Sequence, residues 1–218
     1  VLAPSVRTTL ARLAARERVR LVILSGRALR DVRARVGLDD VVYGGCHGLE
    51  IEGAGLRFRH PRARAARVGA ARRALAAGAA SIPGAHVEFK GLAVSLHYRR
   101  VAPARREAAR ALAAEVARRM PDLRVIAGDA VFDFVPRVRW SKGEAARWII
   151  RRVGPSLRPG EPVIVYAGDD TTDEAAFAAL REGGVTIRVG GGESGAEYTV
   201  SGVRQVHALL RWIARALG

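Results

Sequence analysis

The sequence predicts an α/β fold: a parallel-sheet core interrupted by an inserted α+β module. Two observations carry this. At both ends of the 218-residue chain, apolar runs of strand length alternate with amphipathic helical patterns, the signature of βαβ units. Between about residues 57 and 136 the order changes to helix, strand, strand, and then repeats. A third observation bounds the class. The longest apolar runs, such as 21–24 and 163–167, fall far short of the ~20 residues needed to cross a bilayer, so a soluble protein with no membrane partner is expected.

Hydrophobic periodicity gives a helix over 5–16, a buried strand over 19–24 ending at Ser25-Gly26-Arg27, a helix over 28–36 and a short strand over 41–43. A long Ala/Arg helix over 62–80 then leads past Pro83-Gly84 into alternating strands over 86–90 and 93–99. The same order returns as a helix over 103–119, a break at Pro121-Asp122, and strands over 123–127 and 130–135. This α-β-β-α-β-β unit predicts a four-stranded antiparallel sheet with two helices on one face. After Pro136 come a helix over 142–153, a strand over 162–167, a helix over 172–180, a strand over 185–189 and a helix over 203–217. The expected domains are therefore a core of 1–56 and 137–218 and an insertion of 57–136. Gly190-Gly191-Gly192 reads as a loop.

The net charge of +16 raises the question of nucleic acid. Only two of the 37 basic residues, Lys90 and Lys142, are lysines; the arginines are strewn through Ala-rich helices, with no aromatic interleaving and no basic tail. That distribution reads as a compositional bias of solvated positions, and no nucleic-acid partner is expected. Against that background a retained lysine marks a site wanting a compact point charge. The single cysteine, Cys46, excludes a disulfide framework and fits a reducing, cytoplasmic setting. The opening at Val1, without Met or a signal-peptide pattern, is the form expected of a chain starting inside a longer protein.

The strongest chemical signal is Gly168-Asp169-Asp170-Thr171-Thr172-Asp173-Glu174, directly after an apolar strand and before a helix. Four carboxylates in six residues repel one another unless a cation sits among them, and hard oxygens suit Mg²⁺. Helix capping accounts for Asp173 and Glu174 but not for Asp169 and Asp170. Ser25-Gly26-Arg27, at another strand-to-helix junction, offers a hydroxyl and backbone N–H groups to a phosphate, or simply a helix cap. Lys142 opens a helix, where its charge opposes the dipole; neutralising a phosphate is one reason for it, solvation the other.

These spaced elements resemble the second, third and fourth motifs of the haloacid-dehalogenase (HAD) phosphatase superfamily, at Ser25, Lys142 and Gly168–Asp173 in turn. Within it the whole chain looks most like the trehalose-6-phosphate phosphatase family, on Leu24-Ser25-Gly26-Arg27, Gly45-Cys46-His47-Gly48-Leu49-Glu50, Val87-Glu88-Phe89-Lys90, His97-Tyr98-Arg99, Ser141-Lys142-Gly143 and the acidic loop. The resemblance implies a HAD-like core with a cap, and hydrolysis of trehalose 6-phosphate through an aspartyl-phosphate. It implies Ser25 and Lys142 on the phosphoryl oxygens, Asp169 as a Mg²⁺ ligand supported by Asp170 and Asp173, and Arg27, His47, Glu88, Lys90, Arg99 and Asp133 at the substrate. Fusion to, or association with, a trehalose-6-phosphate synthase is the implied partnership.

Three departures stand out. Cys46 replaces the usual Asn or Ser, and Asp133-Phe134-Val135-Pro136 replaces a Glu followed by a basic residue, so another glycosyl phosphate is the rival substrate. The rivals named by this resemblance are glucosyl- or mannosyl-3-phosphoglycerate and sucrose phosphate; a catalytically silent sugar-phosphate-binding domain is the rival of another class. The first motif, Asp-x-Asp-Gly-Thr, has no counterpart in residues 1–24, which contain no Asp. The nucleophile and general acid are thus expected upstream, the chain alone is expected to be inactive, and the strands over 19–24 and 162–167 are expected not to pair with each other.

Overall fold

The computed structural model describes residues 2–154 and 162–217; Val1, residues 155–161 and Gly218 lie outside them. The chain divides into two compact units, Val1–Phe58 with Trp140–Gly218, and Arg59–Arg139. Parallel and mixed sheets confirm the α/β class.

In the first unit, α1 (Pro4–Ala14), β1 (Leu21–Leu24), α2 (Leu29–Val36) and β2 (Val41–Gly45) form a parallel β-strand pair with its helices. Alternation sorts the side chains. Leu21, Ile23, Val41 and Tyr43 pack with Val32 and Val36 of α2, while Val22, Leu24 and Val42 face Ile149 and Val153 of α5 (Lys142–Val153). Two strands absent from the expectation, β3 (Glu50–Gly53) and β4 (Leu56–Arg59), extend this sheet in the order β1-β2-β3-β4. They are joined through Gly53, Ala54 and Gly55, all at positive φ, a turn that two glycines make inexpensive.

The second sheet of this unit is parallel, β11-β10-β9, made of β9 (Ile164–Gly168), β10 (Gly184–Val189) and β11 (Tyr198–Val200). α6 (Glu174–Leu180) packs on β9 and β10, α5 packs on α6, and α1 packs on α7 (Val203–Ala216). Gly143 permits the α5–α6 approach, since a Cβ there would lie 2.2 Å from the Ala175 carbonyl oxygen. Among the described residues no ladder joins β1 to β9. Val165 of β9 is 44% exposed, unlike a parallel strand covered on both sides.

The second unit runs α3 (Ala65–Ala79), β5 (His86–Phe89), β6 (Val94–His97), α4 (Arg106–Arg119), β7 (Leu123–Gly128) and β8 (Val131–Pro136). Its sheet is antiparallel in the order β5-β6-β8-β7. One face, with Val94, Leu96 and Phe134, packs on Val68 and Leu75 of α3 and Val116 of α4. The other carries the row Glu88, Ser95, Asp133, three residues paired across β5, β6 and β8.

Leu75 is fully buried, so Leu75→Ala should cost about 2–5 kcal/mol, whereas Val125→Ala, at a 36% exposed position, should cost under about 1 kcal/mol. Urea denaturation of both variants checks Leu75 as part of the core of this unit and Val125 as part of its exposed edge.

Candidate active site

The site builds from loops at the carboxyl ends of β1, β2 and β9, the edge at which open α/β sheets bind ligands. After β1, the Ser25 N–H donates to the Gly44 carbonyl (2.9 Å), the His47 N–H to the Ser25 carbonyl (2.9 Å) and the Cys46 N–H to the Arg27 carbonyl (2.7 Å). These bonds lock the Ser25-Gly26-Arg27 turn to the end of β2. Ser25 is not the cap of α2; that position is Ala28, and Ser25 Oγ accepts from the Arg27 N–H at 3.2 Å. Arg27 itself turns to Asp31 in an exposed ion pair on α2 (3.0 Å). Two arginines, Arg27 and Arg35, hydrogen-bond Asp31 and hold its carboxyl below the usual range, although burial works the other way.

At the end of β2, Cys46 and His47 stand at φ 49° and 60°, a left-handed pair of non-glycine residues followed by Gly48 at φ 86°. Such conformations persist where surroundings over-determine them. Here Trp140 Nε1 donates to the Gly48 carbonyl (2.8 Å), and the His47 ring lies buried against Gly26, where a Cβ would come within 2.6 Å of Cε1.

Lys142 begins α5, whose cap is Ser141, with its hydroxyl oxygen accepting from the Gly143 N–H. Its side chain is buried and reaches across to Asp173, Nζ to Oδ1 at 2.8 Å. Tyr166 of β9 donates its hydroxyl to the same oxygen (2.6 Å), and the Asp170 N–H donates to Oδ2 (3.0 Å). Burial first, and then the Asp173 charge, raise the Tyr166 hydroxyl above its ordinary range and keep it protonated. Both Asp173 oxygens are thus engaged. Asp169 and Asp170 are exposed; the Thr171 hydroxyl donates to Asp170 (3.1 Å), and Asp169 meets no hydrogen-bond donor among the described residues. Those residues hold no group of three or more His, Cys, Asp or Glu side chains placed to bind a metal ion. Asp169 and Asp170 nonetheless offer the hard oxygens a divalent cation takes.

In the second unit, Glu88, Lys90 and Asp133 share the face away from the helices. Lys90 Nζ pairs with Asp133 Oδ1 at 3.0 Å, both largely buried, and the Ser95 hydroxyl donates to the same oxygen. His97 Nε2 donates to Glu88 (2.8 Å), and both are about one-third exposed. Arg99 follows the end of β6 and binds the Asp129 carbonyl and carboxylate instead. Ser95, His97 and Tyr166 are the partners that residue-type reasoning misses. The period of two from Lys90 and from Glu88 would have signalled the first two only once the register was known.

A family model, trehalose-phosphatase, matches residues 1–205. The chain belongs to the trehalose-phosphatase family. A trehalose-phosphate phosphatase of Mycobacterium marinum is 38% identical over 186 residues, covering 83% of this chain and 47% of that protein. The chain therefore spans about half the length of this curated relative. Among solved structures, the C-terminal domain of a trehalose-6-phosphate phosphatase from C. albicans aligns at a TM-score of 0.83 and 22% identity, covering all of this chain and 86% of that one. A trehalose-6-phosphate phosphatase related protein aligns at 0.81 and 24%, covering 99% and 88%. At these identities the structures establish the shared fold.

Gly26→Ala should drive the new methyl into the His47 ring and lower stability by about 1–3 kcal/mol. The double variant Gly26→Ala/His47→Ala should recover part of the loss against His47→Ala alone. Strict additivity in a thermal-denaturation cycle would show that the ring does not cover this turn.

Proposed function

We propose that the complete protein is a Mg²⁺-dependent phosphatase that hydrolyses trehalose 6-phosphate to trehalose and phosphate. The observation that carries the reading is the clamp of Lys142 on Asp173 beside the exposed carboxylates Asp169 and Asp170, in a chain of the trehalose-phosphatase family. Ser25 Oγ and the turn it opens bind phosphoryl oxygens, and Lys142 screens the charge that develops on them. The nucleophile is an aspartate from a segment outside this chain. Its oxygen forms a bond to phosphorus as the bond from phosphorus to the sugar oxygen breaks, a second acid protonates the leaving oxygen, and water then attacks the phosphorus of the aspartyl-phosphate, releasing phosphate and regenerating the carboxylate. Asp169, with Asp170 beside it, would hold Mg²⁺, which supplies positive charge against the phosphate. Asp173 supports this set from behind by fixing Lys142.

Among the described residues the outer edges of β1 and β9 have no strand partner, which supports the reading that the nucleophile arrives on a strand between them. Glu88, Lys90, Asp133 and, less directly, Arg99 would read sugar hydroxyls, with His47 and Arg27 nearer the phosphate turn. Asp133 favours a second reading, another glycosyl phosphate, because it is spent on Lys90 and Ser95 and reaches one methylene less than Glu. We assign the reaction to the cytoplasm, supplied by a fused or associated trehalose-6-phosphate synthase. Among the described residues no helix is long and apolar enough to cross a membrane.

Phosphate release by the complete protein across trehalose 6-phosphate, sucrose phosphate, glucosyl-3-phosphoglycerate and mannosyl-3-phosphoglycerate tests the reading; preference for any of the last three selects the second. Asp169→Asn should abolish Mg²⁺-dependent turnover with the fold intact by circular dichroism, and residual activity within a few-fold of the parent would remove Asp169 from the metal site. Glu88→Ala should lower kcat/KM for the sugar phosphate about tenfold while sparing p-nitrophenyl phosphate, whose leaving group offers no sugar hydroxyls. Equal loss on both esters would assign Glu88 to folding.

A further inference from the structure

Tyr166 lies on β9 three residues before Asp169, and the acidic motif does not include it. Asp173 folds back over the strand to reach it. Gly168 makes the space, because a Cβ there would sit 2.3 Å from the Asp173 carboxyl carbon. The phenol ring stands edge-on to Phe177, at 5.8 Å and 84°. Phenylalanine would fill the same volume and keep that contact, so what the hydroxyl adds is its bond to Asp173 Oδ1 at 2.6 Å. That oxygen also receives Lys142 Nζ at 2.8 Å, while Oδ2 is pinned by the Asp170 N–H. A carboxylate held by three donors from three directions cannot rotate. The ammonium bound to it has one of its three N–H groups committed, and the direction of the other two follows from that anchor.

We propose that Tyr166 is a positioning residue: through the Asp173 oxygen it shares with Lys142, it sets where the Lys142 ammonium sits and aims. This deepens the phosphatase reading and rests on it for its functional consequence. Without the hydroxyl, Oδ1 answers to Lys142 alone, the carboxylate turns about its Oδ2 bond, and the ammonium is drawn off the phosphate.

In the complete protein labelled with ¹³Cε-lysine, the Lys142 and Lys90 resonances are assigned by their loss in Lys142→Arg and Lys90→Arg. In Tyr166→Phe the Lys142 resonance should move by more than its line width while that of Lys90 stays. Asp173→Asn, which removes the shared charge, should move the same resonance. An unmoved Lys142 resonance in Tyr166→Phe, or equal movement of both lysines, overturns the proposal. In the complete protein, Tyr166→Phe should lower kcat about tenfold on trehalose 6-phosphate and on p-nitrophenyl phosphate alike, with KM within about twofold, because Lys142 meets the phosphate and not the sugar. Unchanged kcat on both esters overturns it as well. A parent protein inactive on every phosphate ester would defeat the phosphatase reading instead, and the resonances would still decide whether Tyr166 holds the ammonium.

Discussion

The ion pair of Lys142 and Asp173 is the contact on which the arrangement of the first unit's loops depends. Both side chains are buried, so each would be an uncompensated charge without the other, and removing one partner of such a pair costs about 3–5 kcal/mol. Its geometry requires several things at once. Ser141 must cap α5 so that Lys142 starts the helix, Gly143 must let α5 close on α6, and Gly168 must leave room for the Asp173 carboxyl. The pair thereby ties a helix lying on the β1-β2-β3-β4 sheet to the loop that ends β9.

The second unit solves a different problem with the same economy. Its sheet has one apolar face covered by α3 and α4, and alternation then puts every other side chain on the opposite face. There the polar groups form two tiers. Lys90, Ser95 and Asp133 satisfy one another and are largely withdrawn from water, whereas Glu88 and His97 pair at partial exposure. The inner tier stiffens the platform, and the outer one stays in contact with solvent.

Much of this was legible in the sequence, and the exceptions have physical reasons. The acidic loop and Lys142 stand out because each places charge where a strand ends or a helix dipole opposes it, features visible within a few residues. The α-β-β-α-β-β order is legible because its strands alternate and its helices are long. β3, β4 and β11 are three or four residues each and carry glutamate, arginine or threonine, so no run reaches the length at which periodicity speaks. Partnership is less legible than identity. Arg99 has the right type for a hydroxyl grip, yet the turn between β7 and β8 brings Asp129 to it first. The side-chain donors to Asp173 come from 31 and 7 residues away, a convergence that only the folded chain reveals.

The outer edge of β1, without a strand partner among the described residues, also carries a consequence of handedness. A polypeptide laid along that edge in parallel with β1 cannot be delivered by a tight hairpin; it must cross over one face of the sheet. α1, which immediately precedes β1 and packs against it, already occupies such a crossover position. Parallel crossovers are right-handed in nearly all proteins, so α1 fixes in advance from which side an adjoining strand can be threaded. The core is in this sense chirally prepared for a neighbour.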